Sequence, residues 1–292
     1  MEKVIAKADV LIEALPYIQE FRDAIVVIKL GGSAMENEDQ VSQVLTDVAF
    51  MECVGMKPVV VHGGGKAISK QMEEDGIKPT FVQGRRVTCA KAIKVVEKVM
   101  KEQLNPAIVA TLKRAGAKVE GLHGDRVFKV RRKTELDKAT GKAIDWGFVG
   151  EPEEVNVRRI MSMLNKKIIP VITPLGLGPD KKIHNINADT AAAAVAKALK
   201  ARKLAFLSDV PGLLRNPKDP STLITTLRVG DVKRLIREGV ISGGMLPKIE
   251  SCVEALKAGV RKIHLVDGRM PHSLLLEIFT DKGVGTEILA DD

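Results

Sequence analysis

Two lysines in this chain stand beside glycine pairs. Lys29 follows the apolar run Val26-Val27-Ile28 and precedes Leu30 and Gly31-Gly32. Lys248 comes after Gly243-Gly244-Met245-Leu246-Pro247, in the first turn of a helix expected over 247–258. Glycine lets a backbone turn tightly and approach an anion, and neighbouring amide N–H groups then form a cradle for it. A cation in the first helical turn opposes the helix dipole, and a bound phosphate reverses that penalty. Two ammonium groups in two glycine cradles suit one polyanion gripped from both sides. Phosphoryl transfer fits this pattern, because charge spreads over the oxygens of the transferred group in the transition state.

Other residues extend the pattern. His62-Gly63-Gly64-Gly65 ends the apolar run Pro58–Val61, and a helix is expected from Lys66 to Glu74. A helix N-terminus with adjacent glycines is a ready anion site. Arg85-Arg86 lies in a short extended segment, where only one of two neighbours faces a given side, and a guanidinium there could clamp a carboxylate. Asn185-Ile186-Asn187-Ala188-Asp189 opens an alanine-rich helix. One of these side chains could cap that helix, at about 1 kcal/mol, but three polar residues exceed what one cap requires. Taken singly, each feature has a plain structural account in a turn, a cap or a surface charge.

The elements that carry these residues read as repeated strand–helix units with glycine clusters at the strand ends. Continuous apolar runs mark strands buried on both faces. The architecture expected is a three-layer α-β-α sandwich with a mostly parallel central sheet. Ligands of open α/β sheets bind at the carboxyl ends of the strands, where the glycines and Lys29 fall. The spacing is not that of a dinucleotide fingerprint, and no G-x-x-x-x-G-K-[ST] loop is present. A helix ended by Gly55 is expected over 39–54, a long one over 90–115 interrupted at Asn105-Pro106, and another over 152–164. Residues 124–150 read as a hairpin excursion, and 129–133 as a solvated basic run.

Composition narrows the class. The chain has 292 residues, 45% hydrophobic, 28% charged and only 3% aromatic, with a net charge of +9. Single-strand nucleic-acid platforms need aromatic stacking surfaces, so the positive balance points to a small anionic substrate, with no nucleic-acid partner. No apolar run is long enough for a membrane span, and the N-terminus has no cleavage signature of a secretory signal. Cys53, Cys89 and Cys252 are too scattered for a disulfide framework or a zinc site. A cytoplasmic enzyme is expected. Val10, Leu11, Ala14, Leu15 and Ile18 share one helical face ahead of the first strand, with Pro16 expected to kink or divide that helix. This face could cap its own domain or pack on a neighbouring subunit.

Five motifs, Lys29–Ser33, His62–Gly65, Asn185–Asp189, Ser208–Gly212 and Gly243–Lys248, resemble the amino acid kinase family in order and spacing, across the chain from about Leu15. Gly84–Thr88 and Val266–His272 narrow the resemblance to the branch acting on N-acetyl-L-glutamate. It implies ATP-dependent phosphorylation of the side-chain carboxylate, the second step of the acetylated route to arginine. By matching positions, Lys29 and Lys248 stabilise the transition state and Asp189 holds both ammonium groups. Gly64, Gly65, Arg86 and Asn185 bind the acceptor. Gly31, Gly32, Ser208, Asp209, Gly212, Gly243, Gly244 and Met245 serve the nucleotide. Mg2+ comes with ATP and needs no protein cage. Residues 23–180 form an acceptor lobe and 181–292 a nucleotide lobe on one continuous sheet. Residues 1–22 resemble the extra helix of arginine-inhibited members that assemble as hexamers from dimers, and Tyr17, His264, Glu277 and Gly285 match their effector site. Leu30, Ser33, Lys66, Arg85 and His184 depart from the usual residues. A kinase for a carrier-bound aminoadipate derivative, and a non-catalytic amino-acid sensor, are the competing functions; Lys29, Asp189 and Lys248 together argue against the sensor.

Overall fold

The computed structural model describes residues 2–31, 35, 37–82, 84–136, 141–280 and 283–291. Its centre is an eight-stranded sheet whose strands lie in the order β14 (Thr226–Arg228), β16 (Thr286–Leu289), β15 (Lys262–Asp267), β11 (Lys203–Ser208), β1 (Ile25–Leu30), β2 (Lys57–His62), β8 (Ile169–Ile172) and β5 (Val119–Leu122). Six strands from β15 to β5 run parallel, and β16 with β14 runs against them at one edge. β1 sits between strands from both halves of the chain, so the sheet is continuous across them.

Side-chain alternation along β1 builds the layers. Val26 and Ile28 point to one face, packing with Val44, Leu45 and Val48 of α2 (Glu38–Cys53), Leu112 of α5 (Asn105–Arg114) and Leu274 of α10 (Ser273–Ile278). Val27 points to the other, toward α6 (Val157–Leu164), α7 (Ala188–Ala198), α8 (Val229–Arg237) and α9 (Met245–Lys257). Each such fully buried valine or isoleucine contributes about 1.5–3 kcal/mol. The three-layer sandwich expected from the sequence is the one formed.

Beside the carboxyl end of the main sheet lie smaller elements. A four-stranded sheet has the order β10 (Ile183–Asn185), β9 (Leu175–Leu177), β6 (Phe128–Arg132) and β7 (Gly150–Val155). Two hairpins, β3 (Thr80–Val82) with β4 (Arg85–Val87) and β12 (Leu213–Leu214) with β13 (Leu223–Ile224), complete the strands. α3 (Gly65–Glu74) and α4 (Ala90–Lys98) share a third apolar cluster with Val99 and Met100. Residues Val99–Leu104 form a π-helical turn between α4 and α5, so the interruption expected near Asn105-Pro106 is a change of helical pitch.

Three expectations need correction. Residues 150–155 are strand β7, and α6 begins only at Val157, where Asn156 Oδ1 accepts from the Arg159 N–H. The acidic stretch is held as a strand by pairing with the basic one: Glu154 faces Lys129 and Glu151 faces Arg131. Of the basic run expected to be solvated, Lys129, Arg131 and Arg132 are exposed on β6, but Lys133, just beyond that strand, is buried. Finally, α1 (Glu2–Phe21) is not divided at Pro16 but continues through it. Pro16 removes one N–H, and its surroundings are exposed, so the freed Ile12 carbonyl can turn to water.

The apolar face of α1 divides along its length, with Ala14 and Ile18 half-buried and Leu15 exposed. Val10, Leu11 and Ile12 are each more than 60% exposed, whereas Phe21 is buried and Arg202 pairs with Glu20. No helix among the described residues is long and apolar enough to cross a membrane. The three cysteines are free thiols.

Candidate active site

Lys29 lies one residue before the end of β1, pointing to the same face as Val27, where the first turn of α7 meets the sheet. Asn187 caps α7: its Oδ1 accepts from the N–H groups of Asp189 and Thr190 at 2.9 and 3.1 Å. The cap frees Asp189 for other work. Asp189 Oδ1 stands 2.8 Å from Lys29 Nζ, and its Oδ2 stands 3.2 Å from Lys248 Nζ. One carboxylate therefore bridges ammonium groups from β1 and α9. Lys248 reaches it from the fourth residue of α9, which starts at Met245, two residues ahead of the expected start.

The electrostatics of this trio are strongly coupled. Burial pushes the Asp189 carboxyl up, but the two ammonium groups outweigh it and hold the pKa at about 2. Burial lowers the pKa of Lys29 below the ordinary lysine value, and Asp189 opposes that loss. Asp189 thus serves as the counter-charge that lets two cations stand close together with little water.

Lys29 and Asp189 open onto a cleft of about 600 Å³ that is also lined by Gly31, Gly64, Gly65, Arg86 and Asn185. Gly64 and Gly65 begin α3; as first residues of a helix their N–H groups have no intrahelical acceptor. Arg86 is the buried member of the arginine pair. Its Nη2 donates to the Gly65 carbonyl at 2.8 Å and to Ser69 Oγ at 2.7 Å, and its guanidinium carbon lies 4.6 Å from the centre of the Phe81 ring. Arg85 lines the cleft as well, with its guanidinium 3.8 Å from Glu135. Asn185 is set by its backbone N–H to Phe148 and by its side-chain amide to Thr88 Oγ1 at 3.3 Å.

The remaining sequence-expected residues lie around Lys248 and the end of β11. Ser208 ends β11 and its carbonyl accepts from Gly268, while Asp209 contributes negative charge felt by Lys29 and Arg269. Gly212 has φ of +143°, and a Cβ there would press on Leu223 and the Thr286 hydroxyl. Gly243 has φ of +52°, and Gly244 and Met245 start α9. These six residues do not line the cleft above. Gly32 lies outside the described residues. Among those described, no cluster of three or more His, Cys, Asp or Glu side chains could hold a metal.

A model of the amino acid kinase family matches residues 24–267. The chain belongs to the amino acid kinase family. Within that family it is 49% identical to the acetylglutamate kinase of Heliobacterium modesticaldum over 99% of this chain and 100% of the relative. It is 46% identical to the acetylglutamate kinase of Archaeoglobus fulgidus, over 96% and 98% of the two chains. Among solved structures, N-acetylglutamate synthase of Neisseria gonorrhoeae, complexed with coenzyme A and N-acetyl-glutamate, shares the fold with a TM-score of 0.84 at 24% identity. That alignment covers 97% of this chain and 63% of the synthase. Carbamate kinase from Giardia lamblia bound to AMP-PNP aligns with a TM-score of 0.65 at 18% identity, over 92% and 99%.

Sequence reasoning missed part of this amino acid kinase cleft. Lys133 lines it, bound to Glu135 at 2.8 Å and Glu151 at 3.1 Å and lying 5.2 Å from the centre of the Trp146 ring. Burial raises the Glu151 carboxyl, and Lys133 and Arg131 together bring it below its usual value. The signal was the chain's single tryptophan, fully buried in a charged excursion. Glu250 and Glu254 of α9 also line the cleft. The four residues matched in the sequence to an effector site, Tyr17, His264, Glu277 and Gly285, line a separate cavity of about 680 Å³. There His264 Nδ1 pairs with Glu277 Oε1 at 2.6 Å, and Glu277 Oε2 accepts from the Val284 and Gly285 N–H groups.

Proposed function

We propose that this protein transfers the γ-phosphoryl group of MgATP to the side-chain carboxylate of N-acetyl-L-glutamate. The products are ADP and an acyl phosphate, N-acetyl-L-glutamyl 5-phosphate, in the second step of the acetylated route to arginine. The observation that carries this reading is Asp189 bridging Lys29 and Lys248, with Lys29 and Asp189 lining a cleft that also holds Arg86. A carboxylate oxygen of the acceptor attacks phosphorus as the bond to the leaving ADP oxygen breaks. The acceptor is already an anion at neutral pH, so no general base is needed. Catalysis then consists of positioning and charge neutralisation.

In this reading Lys29 and Lys248 meet the charge that develops on the phosphoryl oxygens, and Asp189 fixes their separation. Gly64 and Gly65 offer N–H groups to the acceptor, Arg86 takes its α-carboxylate and Asn185 its amide region. Residues 23–180 supply the acceptor side and residues 181–292 the nucleotide side, with Mg2+ arriving on ATP. Arginine is the proposed inhibitor, bound in the cavity of Tyr17, His264, Glu277 and Gly285. The exposed apolar face of α1 is the proposed contact between dimers of a hexamer. The acceptor reading is tested by comparing kcat/KM for N-acetyl-L-glutamate and N-acetyl-L-aminoadipate; preference for the longer acid would refute it.

A further inference from the structure

His62 and Asn105 have no part in the roles given above. His62 ends β2 with its imidazole fully buried, and Asn105 opens α5, also buried. Asn105 Nδ2 lies 2.9 Å from the Val171 carbonyl oxygen and 3.2 Å from His62 Nε2. A carbonyl oxygen only accepts, so it fixes the amide NH2 group, not its oxygen, on that side. One amide proton goes to Val171 and the other to Nε2. Nε2 is therefore the acceptor, and the ring proton sits on Nδ1. Nδ1 then donates to the Gly63 carbonyl at 2.9 Å. Burial lowers the pKa of this imidazole to about 4, which keeps it neutral near pH 7.

The Gly63 carbonyl and the Gly64 N–H belong to one planar trans peptide, so they point in opposite directions. Gripping the first aims the second. The Gly63 N–H is bound in turn to the Leu30 carbonyl at 2.6 Å. The π-helical turn Val99–Leu104 adds a steric hold: a Cβ on Gly64 would come 2.5 Å from Leu104 Cδ1 and 3.2 Å from Met100 Cε. Such turns are rare and recur at functional sites. Here a single π turn presses Leu104 against Gly64 and leads directly into Asn105. Room for the Asn105 amide comes from Gly121, where a side chain would collide with its oxygen.

We propose that His62, oriented by Asn105, is a positioning residue that fixes the Gly63–Gly64 peptide and aims the Gly64 N–H at the anionic acceptor before it binds. This rests on the reading of Gly64 as an acceptor-binding residue. A donor aimed in advance costs no reorganisation during reaction.

The test uses His62→Phe and His62→Asn in the full-length protein, with thermal melting of each. Asparagine Nδ2 stands where imidazole Nδ1 stands and can still donate to Gly63; phenylalanine fills the space without a donor. His62→Phe is expected to lower kcat/KM for N-acetyl-L-glutamate about 100-fold, the scale of one lost preorganised donor, with KM for MgATP unchanged. His62→Asn should recover about tenfold of that loss, as a restored hydrogen bond of about 1.4 kcal/mol would. Equal losses in the two variants, or parallel losses toward both substrates, would overturn the proposal. Should His62→Phe fail to fold, Asn105→Leu, which frees the imidazole to turn, must show the same acceptor-selective loss. Turnover of N-acetyl-L-glutamate by the wild type checks the underlying reading separately. Its absence sinks both, whereas its presence with no difference between Phe and Asn sinks only the role of His62.

Discussion

Asp189→Asn is the sharpest perturbation of the proposed clamp, because it removes one charge and almost no volume. Lys29 Nζ lies 2.8 Å and Lys248 Nζ 3.2 Å from the carboxylate oxygens. At an effective dielectric of about 20, each contact is an attraction on the order of 5–6 kcal/mol. Without it, two ammonium groups face each other in a site where burial already lowers the pKa of Lys29. The variant should lose about 100- to 1,000-fold in kcat, the scale of losing an aligned charge-stabilising group. The alkaline limb of kcat/KM for MgATP should move to lower pH as Lys29 deprotonates more readily. Acid stability gives an independent readout. The Asp189 pKa is held at about 2 against an ordinary 3.8. A depressed carboxylate stabilises the fold fully above its unfolded value and loses that contribution as pH falls through the folded one. About 2 kcal/mol should therefore vanish between about pH 4 and pH 2 in the wild type and not in the variant. Chemical denaturation against pH reads this, and steady-state kinetics reads the rest. An Asp189→Asn protein with normal kcat and an unmoved alkaline limb would refute the clamp.

Two other outcomes follow from the geometry. His62 is held neutral by burial, with its pKa at about 4 against 6.5, so the unfolded chain binds the extra proton between those values. Its contribution of about 3 kcal/mol is complete above pH 6.5 and lost toward pH 4; denaturation of His62→Asn should show a flatter slope in that window, and an identical slope would exclude His62 as its source. Deleting residues 1–20 removes the exposed apolar face of α1 and Tyr17, so the protein should become smaller by sedimentation and insensitive to arginine. Unchanged size and unchanged inhibition would contradict the regulatory reading.

Much of the site is legible in the sequence because its chemistry is local. A lysine at the end of a buried strand followed by glycines, and an Asn-x-Asn-x-Asp helix start, declare themselves within a few residues. What joins them is not local: that Asp189 would meet both Lys29 and Lys248 follows from α7 and α9 packing on one face of β1 and its neighbours. The stretch 151–155 misled because its strand character comes from partners 20 and 25 residues away, through Glu151–Arg131 and Glu154–Lys129. Lys133 escaped notice because its burial depends on Trp146 and two glutamates brought together by the same excursion. Asn105 looked like a helix break. Its actual task depends on the π turn that precedes it, for which apolar spacing gives no cue.

The central claim, transfer of phosphate to a carboxylate by the Lys29–Asp189–Lys248 clamp, is tested most directly by trapping the product. Wild-type protein incubated with MgATP, N-acetyl-L-glutamate and hydroxylamine should yield the hydroxamate in amounts equal to the ADP released. Lys29→Ala should yield almost none while still binding N-acetyl-L-glutamate. ADP released without hydroxamate, or hydroxamate formed at the normal rate by Lys29→Ala, would contradict the account.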